Sequence, residues 1–141
     1  MGYVMIVDES NLKKGLLSLR LGVFTVFIMW TIDKFVNPEH AAAVFRKYYL
    51  ISGLGESVSY ILGGLQLIIV LCFLLGIRKK FSYGLLFVLH FISTVSCWQM
   101  YINPWGPKNL LFFAAFPMLA ALYVLYLFRN EDTLLNLKLG E

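Results

Sequence analysis

The stretch His90 to Met100, HFISTVSCWQM, sets an imidazole, three hydroxyl side chains and a thiol into an otherwise apolar run. Ser93 and Thr94 lie three and four residues beyond His90, so on a helix all three share one face. Gln66 sits in a second apolar run, at a matching depth if the two runs are antiparallel helices. A polar side chain within hydrocarbon usually finds a partner. The sequence therefore predicts a contact between His90 and Gln66, extended by Ser93 and Thr94. Such a seam either fixes helix register or faces a ligand such as a quinone; the residues alone leave both readings open.

A second set carries charge. Asp33, Lys34, Glu56 and Lys108, with Trp98 and Trp105, are expected near one membrane surface. Asp33 or Glu56 would pair there with Lys34 or Lys108, to hold a polar headgroup, a quinone carbonyl or a partner, or to anchor helix ends. Arg20 is expected at the opposite surface, snorkelling to a lipid phosphate or a helix-terminal carbonyl. No metal site is expected. Bis-histidine haem is disfavoured, because the only other histidine, His40, falls in a loop. Cys72 and Cys97 have no C-x-x-C spacing and fall near opposite ends of their runs, so a disulfide between them is not expected.

Several helices are needed to place these residues. The chain has 141 residues, 60% hydrophobic and 14% charged, against ~25% charged in a typical soluble domain. Its mean hydropathy is +0.75. The net charge is +4, but the basic residues flank apolar runs instead of forming one basic face, which argues against nucleic acid. Crossing ~30 Å of hydrocarbon takes about 20 apolar residues. Four runs qualify, at 15–35, 57–77, 81–100 and 109–128. The expected fold is all-α: a four-helix transmembrane bundle over 15–128, between an N-terminal segment 1–14 and a cytoplasmic tail 129–141. The link after the first span predicts a short interfacial helix over 41–50. Asn37 would cap it, Pro38 would open it, Val44, Tyr48 and Leu50 would face lipid, and Arg46 and Lys47 would face water. Pro117 is expected to interrupt the fourth span, beside a packing face of Ala114, Ala115, Ala120 and Ala121. Ser59 and Gly63 form a small-x-x-x-small pair on the second. The excess of Lys and Arg at the termini and at 78–80 places both termini in the cytoplasm, in an inner membrane of bacterial type.

At the span ends the chain resembles the DoxX-like family of small four-helix membrane proteins. In LRLGVFTVFIMWTIDKF, Arg20 and Lys34 match the family pattern, and Thr31 stands where glycine is usual. In GGLQLIIVLCFLLG, Gln66 and Gly76 keep the family spacing, with an amide in place of the acid. Some members resemble the small membrane subunit of thiosulfate:quinone oxidoreductase. The resemblance implies an accessory or quinone-contacting subunit of a membrane redox system, with a redox protein or a second copy as partner. The amide at position 66 speaks against a proton-linked role there. A small transporter or lipid-binding protein and a purely structural membrane partner are the other readings.

Overall fold

The computed structural model describes residues 8–53 and 55–137. Six α-helices and one 3-10 helix account for most of them. They are α1 (Glu9–Val36), α2 (Pro38–Tyr48), α3 (Glu56–Leu74), α4 (Lys79–Ser96), α5 (Trp98–Ile102), a 3-10 helix (Asn109–Ala114) and α6 (Ala115–Leu127). Three stretches are long and apolar enough to cross a membrane: Glu9–Val36, Glu56–Leu74 and Asn109–Leu127. The third expected span is not among them. Lys79, Lys80, His90 and the hydroxyl residues of α4 dilute its apolar content.

α1 starts six residues before the expected 15–35 run. Asp8 caps it, accepting from the Ser10 amide at 2.9 Å, and Glu9 pairs with Lys13 at 2.6 Å. These polar residues satisfy the first-turn donors and favour the positive end of the helix dipole. The buried residues of α1 are Leu16, Arg20, Val23, Phe27 and Thr31. Their spacing of three and four makes one stripe facing the bundle, and Arg20 stands inside it.

α1 packs on α3 and α6, and α4 packs on α3 and α6. Ser59 and Gly63 are both buried on α3; the Ser59 hydroxyl donates to the Pro38 carbonyl of α2 at 3.3 Å, and Gly63 packs against α1. A Cβ on Gly63 would lie 2.9 Å from the Phe35 ring and 3.2 Å from Lys34 Cβ. Val70, Phe73, Tyr83, Leu86, Leu122 and Leu125 are fully buried and join Leu16, Val23 and Phe27 in one core. Outward faces are strongly apolar. Met29, Ile61, Leu65, Ile68, Phe81 and Leu111 are each more than half exposed, a surface suited to lipid rather than water.

Several local expectations change. α2 begins at Pro38, but the Asn37 side chain does not cap it; its amide donates to Asp33 Oδ1 at 3.0 Å. Arg46 and Lys47 are exposed and Val44 and Tyr48 half-buried, whereas Leu50 is past the helix, at φ 57° and exposed. The expected 81–100 helix breaks at Cys97. Thr94 Oγ1 donates to the His90 carbonyl at 2.7 Å and Ser96 Oγ to that of Ile92 at 2.8 Å. Such back-bonding competes with the backbone ladder, and the Cys97 amide tightens onto the Thr94 carbonyl. The 109–128 run opens as a 3-10 helix. Pro117 therefore lies in the first turn of α6, where a missing N–H is tolerated. The packed face of α6 is Met118, Ala121, Leu122 and Leu125; Ala114 and Ala120 are exposed.

Candidate functional site

His90 is buried where α1, α4 and α6 meet. Its ring stacks on Trp30 of α1, with centroids 6.0 Å apart at 29°, and meets Phe27 edge-on at 6.1 Å. Its Nε2 lies 3.0 Å from the Ala115 carbonyl oxygen, in the first turn of α6. A carbonyl only accepts, so Nε2 carries the hydrogen, and in the neutral ring Nδ1 is the acceptor. That buried Nδ1 has no hydrogen-bond partner among the described residues.

Two cavities border this ring. One, of about 630 Å³, runs between α1, α4 and α6 past Ser18, Gly22, Val26, Thr94, Ala115 and Met118. The other, of about 440 Å³, lies between α1, α2, α3 and α4, past Asp33, Lys34, His40, Val44, Tyr48 and Gln66. Trp30, His90, Ser93, Cys97 and Phe112 border both. The Trp30–His90 stack is thus part of a shared wall.

The expected His90–Gln66 contact is not formed. His90 turns its bonding nitrogen to α6, and the half-buried Gln66 faces the same 440 Å³ cavity without bonding to it. Thr94 commits its hydroxyl to the His90 carbonyl. Ser93 lies beside Tyr49, the residue that ends α2. Burial pushes the Tyr49 phenol above its ordinary value, the nearby Ser93 hydroxyl draws it partly back, and Cys97 raises it.

The charged set is brought together only in part. Asp33 Oδ2 lies 2.6 Å from His40 Nδ1, and Lys34 donates to its own helix at the Trp30 carbonyl, 3.2 Å away. These three residues line the mouth of the 440 Å³ cavity, whereas Glu56, Trp98, Trp105 and Lys108 do not. Trp98 and Trp105 are exposed, and Lys108, at φ 65°, precedes the 3-10 helix. Cys72 and Cys97 are both free thiols. Among the described residues no three His, Cys, Asp or Glu side chains gather as metal ligands would.

Arg20 does not snorkel. Its side chain is fully buried, as is that of Asp132 beyond α6, and Arg20 Nε lies 3.5 Å from Asp132 Oδ2. Nη1 donates to Asn136 Oδ1 at 2.6 Å and to the Tyr83 hydroxyl at 3.3 Å. Nη2 donates to the Leu134 carbonyl, which belongs to a loop and not to a helix terminus. Tyr83 in turn donates to Asp132 Oδ2 at 2.7 Å, and Lys79 donates to the carbonyls of Arg129 and Asp132 at 2.8 and 2.9 Å. The segment 129–137 therefore folds back over the bundle end. Gly76, at φ 64°, makes room for it, since a Cβ there would collide with Asn136 Oδ1. Tyr83, Asp132 and Asn136 are missing from the sequence-based set. The available signal was an acid and an amide shortly after the last apolar run, at the same end as a cation embedded in the first.

No family model, curated protein or solved structure matches this chain.

Proposed function

We propose that this chain is a small integral membrane protein that holds a flat apolar ligand, of quinone or lipid type, beside His90. It would serve as an accessory subunit of a membrane redox system. The observation that carries this reading is the pair of cavities meeting at the Trp30–His90 wall. Both are mainly apolar, both include aromatic side chains, and both border one histidine with an unused nitrogen. Ligand sites have this chemistry: an apolar enclosure with a few polar groups that fix orientation.

In this reading α1, α3, α4 and the 109–127 helix cross the bilayer, and α2 lies at its surface with Arg46 and Lys47 toward water. α4 is less apolar than the others because Lys79, Lys80, His90 and its hydroxyl residues lie in it. The basic residues near both ends of the chain favour termini on the cytoplasmic side. The Arg20 and Lys34 positions retain the likeness to the DoxX-like family, and electron cofactors would belong to a partner protein.

The test is calorimetric titration of the protein in lipid nanodiscs with a short-chain benzoquinone and its quinol, alongside native mass spectrometry of gently extracted complexes. Saturable binding of either form, lost when Trp30 and His90 are both replaced by leucine, is the expected result. A folded protein that binds neither form and extracts without a redox partner would sink the reading.

A further inference from the structure

We infer that the 440 Å³ cavity is built for an anionic head. The molecule it takes is acidic and otherwise apolar, a carboxylate or an ionised hydroxyquinone, with its negative oxygens between Lys34 and Gln66. This rests on the ligand-binding reading above and gives that ligand a charge.

The argument begins with the direction of Lys34. A lysine near the end of a membrane helix ordinarily snorkels its ammonium outward to water. Lys34 does the reverse. Helix side chains lean toward the N-terminus, and here Nζ donates to the Trp30 carbonyl at 3.2 Å, one turn back along α1 toward the bundle centre. The half-buried side chain lines the cavity along with Trp30. That bond uses one of three N–H donors. Among the described residues no carboxylate oxygen lies within ion-pair distance of the ammonium. The adjacent acid, Asp33, acts on Lys34 through its field. Its own oxygens are engaged toward α2: Oδ1 accepts from Asn37 at 3.0 Å, and Oδ2 lies 2.6 Å from His40.

The second group is Gln66. A Cβ on Gly63 would lie 3.2 Å from Lys34 Cβ, and Gln66 follows three residues later on α3, about 4.5 Å deeper in the bundle. Lys34 reaches back toward that same depth. Buried side-chain polar atoms without a bond belong to Arg20, His90, Tyr101 and Asp132. The Gln66 amide is not among them, and it lines the cavity. A cation in an apolar enclosure is stabilised by an anion that shares it. A carboxylate and an ionised hydroxyquinone both carry adjacent oxygens bearing one negative charge. One oxygen meets the Lys34 ammonium and the other accepts from the Gln66 amide. A neutral carbonyl or hydroxyl offers Lys34 only a dipole. Phe27, Leu89, Ile92 and Phe112 supply apolar wall for the rest of the molecule.

The probes are two matched pairs: laurate with lauryl alcohol, and lapachol with its methyl ether. Each is titrated into the full chain in zwitterionic nanodiscs, in mildly alkaline buffer that keeps the acids ionised, with empty nanodiscs as the reference for partitioning. The acid of a pair is expected to bind about tenfold more tightly than its neutral partner, the difference made by one charge-assisted hydrogen bond. A preference for laurate alone identifies a chain acid, a preference for lapachol alone identifies a ring, and both together show that charge alone is read; each supports the inference. Lys34→Met should erase the preference and Lys34→Arg should keep it. Neutral partners that bind as tightly as the acids, a preference that survives K34M, or binding of none of the four probes overturns the inference. The comparison within each pair uses the unaltered chain, so it stands even if K34M fails to fold. The benzoquinone titration above reads separately: quinone binding without acid preference leaves the ligand-binding reading in place and removes only the charge.

Discussion

The most demanding side chain in the molecule is Arg20, a cation with no exposure that meets Asp132, Tyr83, Asn136 and Leu134. Removing one member of a buried ion pair costs far more than the pair itself stabilises, because the other charge is left desolvated. Asp132→Ala is therefore expected to lower stability by about 3–5 kcal/mol, read as thermal unfolding in detergent. Replacing both partners, as Arg20→Met with Asp132→Leu, should recover most of that loss. A D132A protein as stable as the original would show that the charges are not coupled. Gly76 supports the same cluster. Its positive φ and its contact with Asn136 predict a loss of about 1–2 kcal/mol for Gly76→Ala. Gly22→Ala, with open space around the new methyl, should be neutral or slightly stabilising on the same assay.

The elements show where packing, not propensity, decides. Gly63 sets the distance between α1 and α3, and Gly63→Leu would force the Phe35 ring and Lys34 aside. Overpacking of this kind typically costs about 1–3 kcal/mol, and the expected readout is a lower unfolding temperature. Pro117→Ala should change stability by less than about 0.5 kcal/mol, since the proline sits in a first turn, whereas Leu125→Ala should cost about 2–5 kcal/mol. A large loss from P117A would contradict the placement of the α6 start. Hydropathy made the three most apolar helices legible, and the small residues Ser59 and Gly63 announced a close contact. The break at Cys97 was not legible, because it depends on whether the Thr94 and Ser96 hydroxyls turn back to their own helix. The partner of His90 was hidden for a related reason. A backbone carbonyl such as that of Ala115 leaves no trace in residue type, whereas Gln66 advertises itself.

At the scale of the whole molecule, residues 129–137 belong to the folded body. Charge counting treats 129–141 as a tail, yet Asp132, Leu134 and Asn136 bond Arg20, and the Leu137 amide donates to the Leu75 carbonyl, closing the end of the core. Reading basic residues for orientation passed over Asp132, whose role depends on a turn after α6 that no periodicity encodes. Truncation after Phe128 is expected to give a protein that aggregates on extraction, measured as loss of the monodisperse peak in size exclusion. A monodisperse truncated chain would show that the bundle closes without it. The two thiols stay apart across the same body. Mild oxidation should produce no intramolecular cross-link, checked by mass after alkylation.

The cluster around Arg20 also sets an order of events during synthesis. A ribosome delivers Arg20 early, and the Leu134 carbonyl that binds it follows 114 residues later. Until then the guanidinium has none of the C-terminal partners that hold it in the finished fold. The first helix can form, but its Arg20 end cannot be closed before translation has reached the 130s. A product released before the 130s would lack the Asp132, Leu134 and Asn136 groups that hold this cation in the finished fold.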